Sequence, residues 1–110
     1  MSVKSERIGN NLQKELSEII RFEARDEDLK EVTITYVTVA GDLGLAKVYY
    51  NVLNKDKVAI IQKALNNASG YIRSSLAKRV DLRHIPELRF IYDESIDYGE
   101  KIEKILEEVI

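Results

Sequence analysis

The sequence has no cysteine, no tryptophan, one proline, one histidine and only five glycines. Without cysteine there is no disulfide framework, no thiolate nucleophile and no sulfur-ligated metal, as suits a reducing compartment. A lone histidine, His84, cannot build a metal triad or a histidine-assisted catalytic triad, and it reads as a surface or interface residue. No apolar run approaches the roughly 18 residues a membrane span needs. The N-terminal residues Met1 to Arg7 lead into an amphipathic stretch and not an apolar signal core. Neither a Walker-type nor a dinucleotide-type glycine loop is present. These absences argue against secretion, membrane insertion, cofactor chemistry and catalysis.

What is present fits one α+β domain spanning residues 1–110, long enough to bury roughly two-thirds of its unfolded surface. Ile8, Leu12, Leu16, Ile19 and Ile20 recur at helical spacing between Arg7 and Phe22, and the charged cluster Arg25-Asp26-Glu27-Asp28 ends that helix. Val32 to Val39 is rich in β-branched residues and reads as a strand. Its apolar parity changes between Ile34 and Val37, so either a bulge near Tyr36 or burial on both faces is expected. Gly41-Asp42-Leu43-Gly44 supplies turn chemistry before a second strand from Ala46 to Leu53, which makes a hairpin.

Asn54 or Asp56 caps the next helix. Its apolar stripe is Val58, Ile61, Leu65, Ala68, Ile72, Leu76 and Val80, and it crosses Gly70 in phase. An interior glycine costs about 1 kcal/mol relative to alanine, and beside Ser69 it is a kink point, so two helical segments are expected to meet there. Pro86 opens a short strand, Leu88 to Tyr92. Ser95 caps a last helix with apolar positions Ile102, Ile105, Leu106 and Val109. The expected order is α-β-β-α(kink)α-β-α, with a three-stranded sheet packed against helices.

The net charge of −2 and pI near 5.5 argue, taken alone, against a nucleic-acid binder. Distribution reverses that impression. Residues 1–72 hold ten basic and ten acidic side chains, residues 73–92 five and two, and residues 93–110 two and seven. A positive block inside a nearly neutral chain presents a local patch to phosphates. Arg79 and Arg83 are the leading candidates for phosphate contact, with Arg73, Lys78 and Arg89 as supporting charges. The bland reading is a solvated helix face. The six tyrosines offer stacking surfaces or, for most of them, core and sheet packing. Asp93, Glu94 and Asp97 match a divalent-cation site less well than they match ordinary acids at a helix start. The string Gly41-Asp42-Leu43-Gly44 is also the GxxG of KH domains, but that loop joins helices, whereas these glycines join strands. The place where helices meet is Ala68-Ser69-Gly70.

Nearly the whole chain resembles the ribosome-binding factor A family. The resemblance rests on Ser5-Glu6-Arg7-Ile8, Val32-Thr33-Ile34-Thr35 with Val37 and Val39, and Asp42-Leu43 with Ala46, Val48 and Tyr49. It continues through Ala68-Ser69-Gly70, Ile72-Arg73, Leu76, Arg79, Leu82-Arg83, Pro86, Leu88, Phe90, Asp93-Glu94-Ser95, Gly99 and Ile102. It implies a type II KH-like fold in which an Ala-x-Gly kink, here Ala68-Ser69-Gly70, replaces the GxxG loop. It also implies a cytoplasmic, monomeric, non-enzymatic assembly factor for the small ribosomal subunit. Such a factor binds the subunit's rRNA transiently, assists late maturation and 5′-end processing of 16S rRNA, and supports growth in the cold. Release is aided in some members by a GTPase. Many relatives carry a longer, often basic C-terminal tail; this sequence ends on an acidic stretch, so no contact of such a tail is assigned. The rival reading is a protein-binding adaptor of the same architecture, its basic patch facing an acidic partner.

Overall fold

The computed structural model of the chain describes residues 3–94. Helix α1 runs Val3–Glu18 and continues into a wide π-helical turn, Ile19–Glu23. The turn closes where the Ala24 amide donates to the Ile19 carbonyl at 3.1 Å. Leu12, Leu16, Ile19 and Ile20 are buried, as the spacing predicts, while Phe22 points into solvent. The helix begins ahead of its apolar pattern because its first turns approach the sheet through Ser5 and Gly9, both buried. Asp26 then caps a 3-10 turn, Glu27–Glu31, accepting from the Asp28 amide at 3.0 Å.

Strands β1 (Val32–Val39) and β2 (Leu45–Val52) form the expected antiparallel hairpin. Its pairing shifts between Ile34 and Tyr36, which places Thr35 in a bulge. The bulge resolves the parity change: Ile34 faces the core before it, Val37 and Val39 after it. Gln13 of α1 donates to the Ile34 and Thr35 carbonyls, at 3.3 and 3.1 Å, and so satisfies backbone groups exposed by the bulge. In the connecting turn the left-handed residue is Leu43, with φ of 61°, and not a glycine. Its side chain packs partly against the core.

Asn54 caps a short 3-10 turn, Lys55–Lys57, that feeds helix α2, Val58–Arg79. Ile61, Leu65, Ile72, Leu76 and Val80 are buried along the predicted stripe. The two expected segments form one hydrogen-bonded helix, α2, which continues through Ser69 and Gly70 without a break. The in-phase stripe packs both halves on one core, and that packing offsets the glycine's poor helix propensity. Strand β3, Glu87–Tyr92, returns parallel to β2, giving a sheet ordered β1-β2-β3. One core cluster lies between the helices and the inner face of the sheet, with Val48 and Tyr50 wholly buried at its centre. The last helix expected from Ser95 lies outside the described residues.

Candidate nucleic-acid interface

Burying one stripe of α2 leaves the opposite stripe to water. Lys63, Asn67, Gly70, Ser74 and Lys78 follow one another along α2 in steps of three or four residues, so they share the face turned away from the buried stripe. Asn67, Gly70 and Lys78 are exposed there. The stripe is small in its middle and cationic at both ends, and it is about 22 Å long at the helical rise. Neither lysine forms an ion pair or hydrogen bond among the described residues. An alanine methyl built at Gly70 would meet nothing within 4 Å. The glycine therefore relieves no clash with the sheet, which removes the packing explanation for it. Its neighbour Ser69 donates back to the Asn66 carbonyl at 3.0 Å.

The other sequence candidates are dispersed. Ala68 is half-buried and lines a cleft of about 320 Å³ together with Ala24, Arg25, Asp26, Leu29 and Tyr71. Arg73 donates from Nε to the Pro86 carbonyl at 3.1 Å and from a terminal nitrogen to the Ile85 carbonyl at 2.6 Å. It clamps the loop that leads into β3. Arg79 is more heavily engaged: Nη1 lies 3.1 Å from Glu15 and 2.9 Å from Glu18, and Nη2 lies 3.3 Å from Glu23. Hydrogen bonding to Glu15 leads the effects that raise its pKa above the ordinary guanidinium value; Glu18 and the charge of Glu23 add to it, against desolvation. Arg79 thus has a structural partner set, tying the end of α2 to α1, that sequence reasoning did not include.

Lys78 and Arg83 are exposed and unpaired among the described residues, Lys78 on the last turn of α2 and Arg83 in the loop beyond. Arg89 is also exposed, but it alternates with buried Leu88 and Phe90 and so points away from α2, to the open face of the sheet. Sequence reasoning also missed Lys63, Asn67 and Ser74, although counting in threes and fours from Gly70 finds them. The partners of Arg79 carry no local signal, because Glu15, Glu18 and Glu23 all belong to the opposite end of the chain. Among the described residues no group of His, Asp or Glu is placed to hold a metal ion. His84 is exposed. No helix of the described residues is long and apolar enough to cross a membrane.

A helix, an antiparallel hairpin, a long second helix and a third strand parallel to β2 define a KH-like α+β domain. The model of the ribosome-binding factor A family matches residues 4–106, and the chain belongs to that family. It is 47% identical over 110 residues to ribosome-binding factor A of Macrococcus caseolyticus, covering 99% of this chain and 96% of that one. Identity to the Legionella pneumophila factor is also 47%, over 107 residues, covering 96% and 86% of the two chains. The crystal structure of ribosome-binding factor A from Thermus thermophilus superposes with a TM-score of 0.72 at 26% identity, covering 80% of this chain and 93% of that one. A homology model of the Thermus factor fitted into a cryo-electron microscopy map of a 30S complex superposes with a TM-score of 0.69, also at 26% identity, covering 82% and 96%.

Proposed function

We propose that this protein is a cytoplasmic, non-enzymatic assembly factor that binds the small ribosomal subunit and its 16S rRNA during late maturation and 5′-end processing, including at low temperature. It acts as a monomer, without a cofactor, small-molecule substrate or membrane. The observation that carries this reading is the outer stripe of α2, where Gly70 and Ser74 leave room for a backbone to approach and Lys63 and Lys78 supply charge at either end. Arg83 extends the positive end. Phosphate contacts of this kind position a protein on RNA without reading sequence. Similarity to a factor fitted into a 30S complex supports the choice of subunit.

In this proposal Ala68, Ser69 and Gly70 form the close-approach segment, and Lys78 and Arg83 contact phosphate. Arg73 and Arg79 hold the surrounding elements in place, and Arg89 serves a separate face. The test is a density-gradient profile of cells grown in the cold, with extracts split between buffer and nuclease. Cosedimentation with immature small subunits and not with large ones is expected. Equal partition between the subunits would refute the assignment, and small-subunit binding that survives nuclease digestion of the RNA would establish the adaptor reading.

A further inference from the structure

The strand registers place three rows of side chains on the face of the sheet that turns away from the helices. The first is Thr38, Lys47 and Arg89; the second is Tyr36, Tyr49 and Ile91; the third gathers Thr33, Asn51 and Asp93 beside the bulged Thr35. In the second row the Tyr36 and Tyr49 rings stack, with centroids 4.2 Å apart and planes 11° from parallel. Tyr36 remains 44% exposed. In the first row two cations stand directly opposite each other on paired strands, an arrangement that weakens a sheet. Neither has a carboxylate partner among the described residues. An aromatic stack with one ring exposed to water and an uncompensated pair of cations are both poor choices for stability alone.

We propose that this open sheet face, centred on the Tyr36–Tyr49 stack and bordered by Lys47 and Arg89, is a second RNA-binding surface that takes unpaired nucleotides, bases on the tyrosines and phosphates on the two cations. The inference rests on the reading that the partner is RNA, but it uses none of the α2 residues. Lys47 and Tyr49 are two residues apart on β2, about 7 Å, the span from a phosphate to the base of its own nucleotide. The third row fixes the polarity. Thr35 Oγ donates to Asp93 at 2.7 Å, and Asn51 donates to the Asp93 carbonyl at 3.0 Å. That end is braced and nearly closed to solvent, Asn51 and Asp93 each being 8% exposed, so the room for a nucleic-acid backbone lies toward Lys47 and Arg89. A base still paired in a duplex has its faces covered by neighbouring pairs, so the site selects single strands.

The experiment titrates the ¹⁵N-labelled full chain with a single-stranded RNA about ten nucleotides long, the same RNA annealed to its complement, and inorganic polyphosphate. Amide shifts at Tyr36, Lys47, Tyr49 and Arg89 are expected with the single strand only. Tyr36→Ala should weaken the oligonucleotide roughly ten-fold or more, and Tyr36→Phe should restore it. If Tyr36→Ala does not fold, Tyr36→Leu tests the same point. Shifts confined to the α2 stripe, equal shifts with polyphosphate, or wild-type affinity for Tyr36→Ala would each overturn the proposal. Cosedimentation of the wild-type protein with small subunits is read separately, so failure of the assembly-factor reading and failure of this one are distinguishable.

Discussion

The guanidinium of Arg79, on the last turn of α2, lies 3.1 Å from the Glu15 carboxylate in α1, with Glu18 at 2.9 Å on the same nitrogen. The Arg79 side chain is only 28% exposed, so the cluster is sheltered more than an isolated surface pair. Removing the cation leaves three carboxylates facing one another. Arg79→Ala is therefore expected to melt at a lower temperature than Arg83→Ala, and Arg79→Glu lower still, in thermal scans followed by circular dichroism. Among the described residues Arg83 has no such partners, and its reversal should leave the melting temperature unchanged. Equal melting of Arg79→Ala and wild type would show the clasp to be energetically idle.

Gly9 and Gly70 are both helical glycines, and their substitutions should have opposite signs. A methyl at Gly9 would sit 2.7 Å from the Val37 carbonyl oxygen, a backbone atom that cannot move without moving β1. Overpacking of this kind costs about 1–3 kcal/mol, so Gly9→Ala should shift the urea midpoint down. At Gly70 the space is open and φ is not positive. Gly70→Ala should be more stable by about 1 kcal/mol, the difference in helix propensity. If Gly70 serves RNA approach, that stabilised variant should bind small subunits more weakly. A variant that gains stability and binds normally would remove Gly70 from the interface.

Lys78 and Arg83 make no other bond among the described residues, so their substitution reads RNA contact without a large stability effect. Each phosphate contact contributes about 0.7–0.9 to the slope of log affinity against log salt. Lys78→Ser with Arg83→Ser should flatten that slope by roughly 1.4–1.8 units in small-subunit binding. An unchanged slope would move the phosphate contacts elsewhere.

The strands, the hairpin, the bulge and the α2 core stripe are legible in the sequence because each is a local pattern: β-branched runs, turn residues, parity and periodicity. The candidate site is legible in part. Ala68-Ser69-Gly70 and the basic block can be read as strings, but a string does not say which way a side chain points or what it meets. Arg79 and Arg73 face partners supplied by distant segments, Glu15 and the carbonyls before β3, and nothing near them in sequence announces this. Arg89 follows the block in sequence, yet strand alternation sends it to the other face. Gly9 resembles an ordinary interior glycine because its partner is a backbone oxygen. Gly70 marks a weak point that propensity alone reveals, and tertiary packing of the stripe keeps the helix continuous through it.

Tyr50 gives the protein an alkaline limit. It is wholly buried, its hydroxyl donates to Gln62 Oε1, and its ring meets Tyr92 edge-on at 5.7 Å. Burial, with a smaller effect of Tyr92, raises its pKa above the ordinary 10.0. In the unfolded chain the phenol ionises near pH 10, while in the native state it keeps its proton to a higher pH. The unfolded state then binds fewer protons, so stability falls as pH rises above about 10 and is unaffected below it. Tyr50→Phe cannot ionise at this position. It should be less stable at neutral pH by about 1 kcal/mol, for the hydrogen bond lost to Gln62. Its urea midpoint should then decline less steeply than that of the wild type between about pH 9 and pH 11. Tyr36→Phe serves as the comparison, since Tyr36 is also raised but stands on the open sheet face. Parallel alkaline profiles for wild type and Tyr50→Phe would show that Tyr50 does not set the limit.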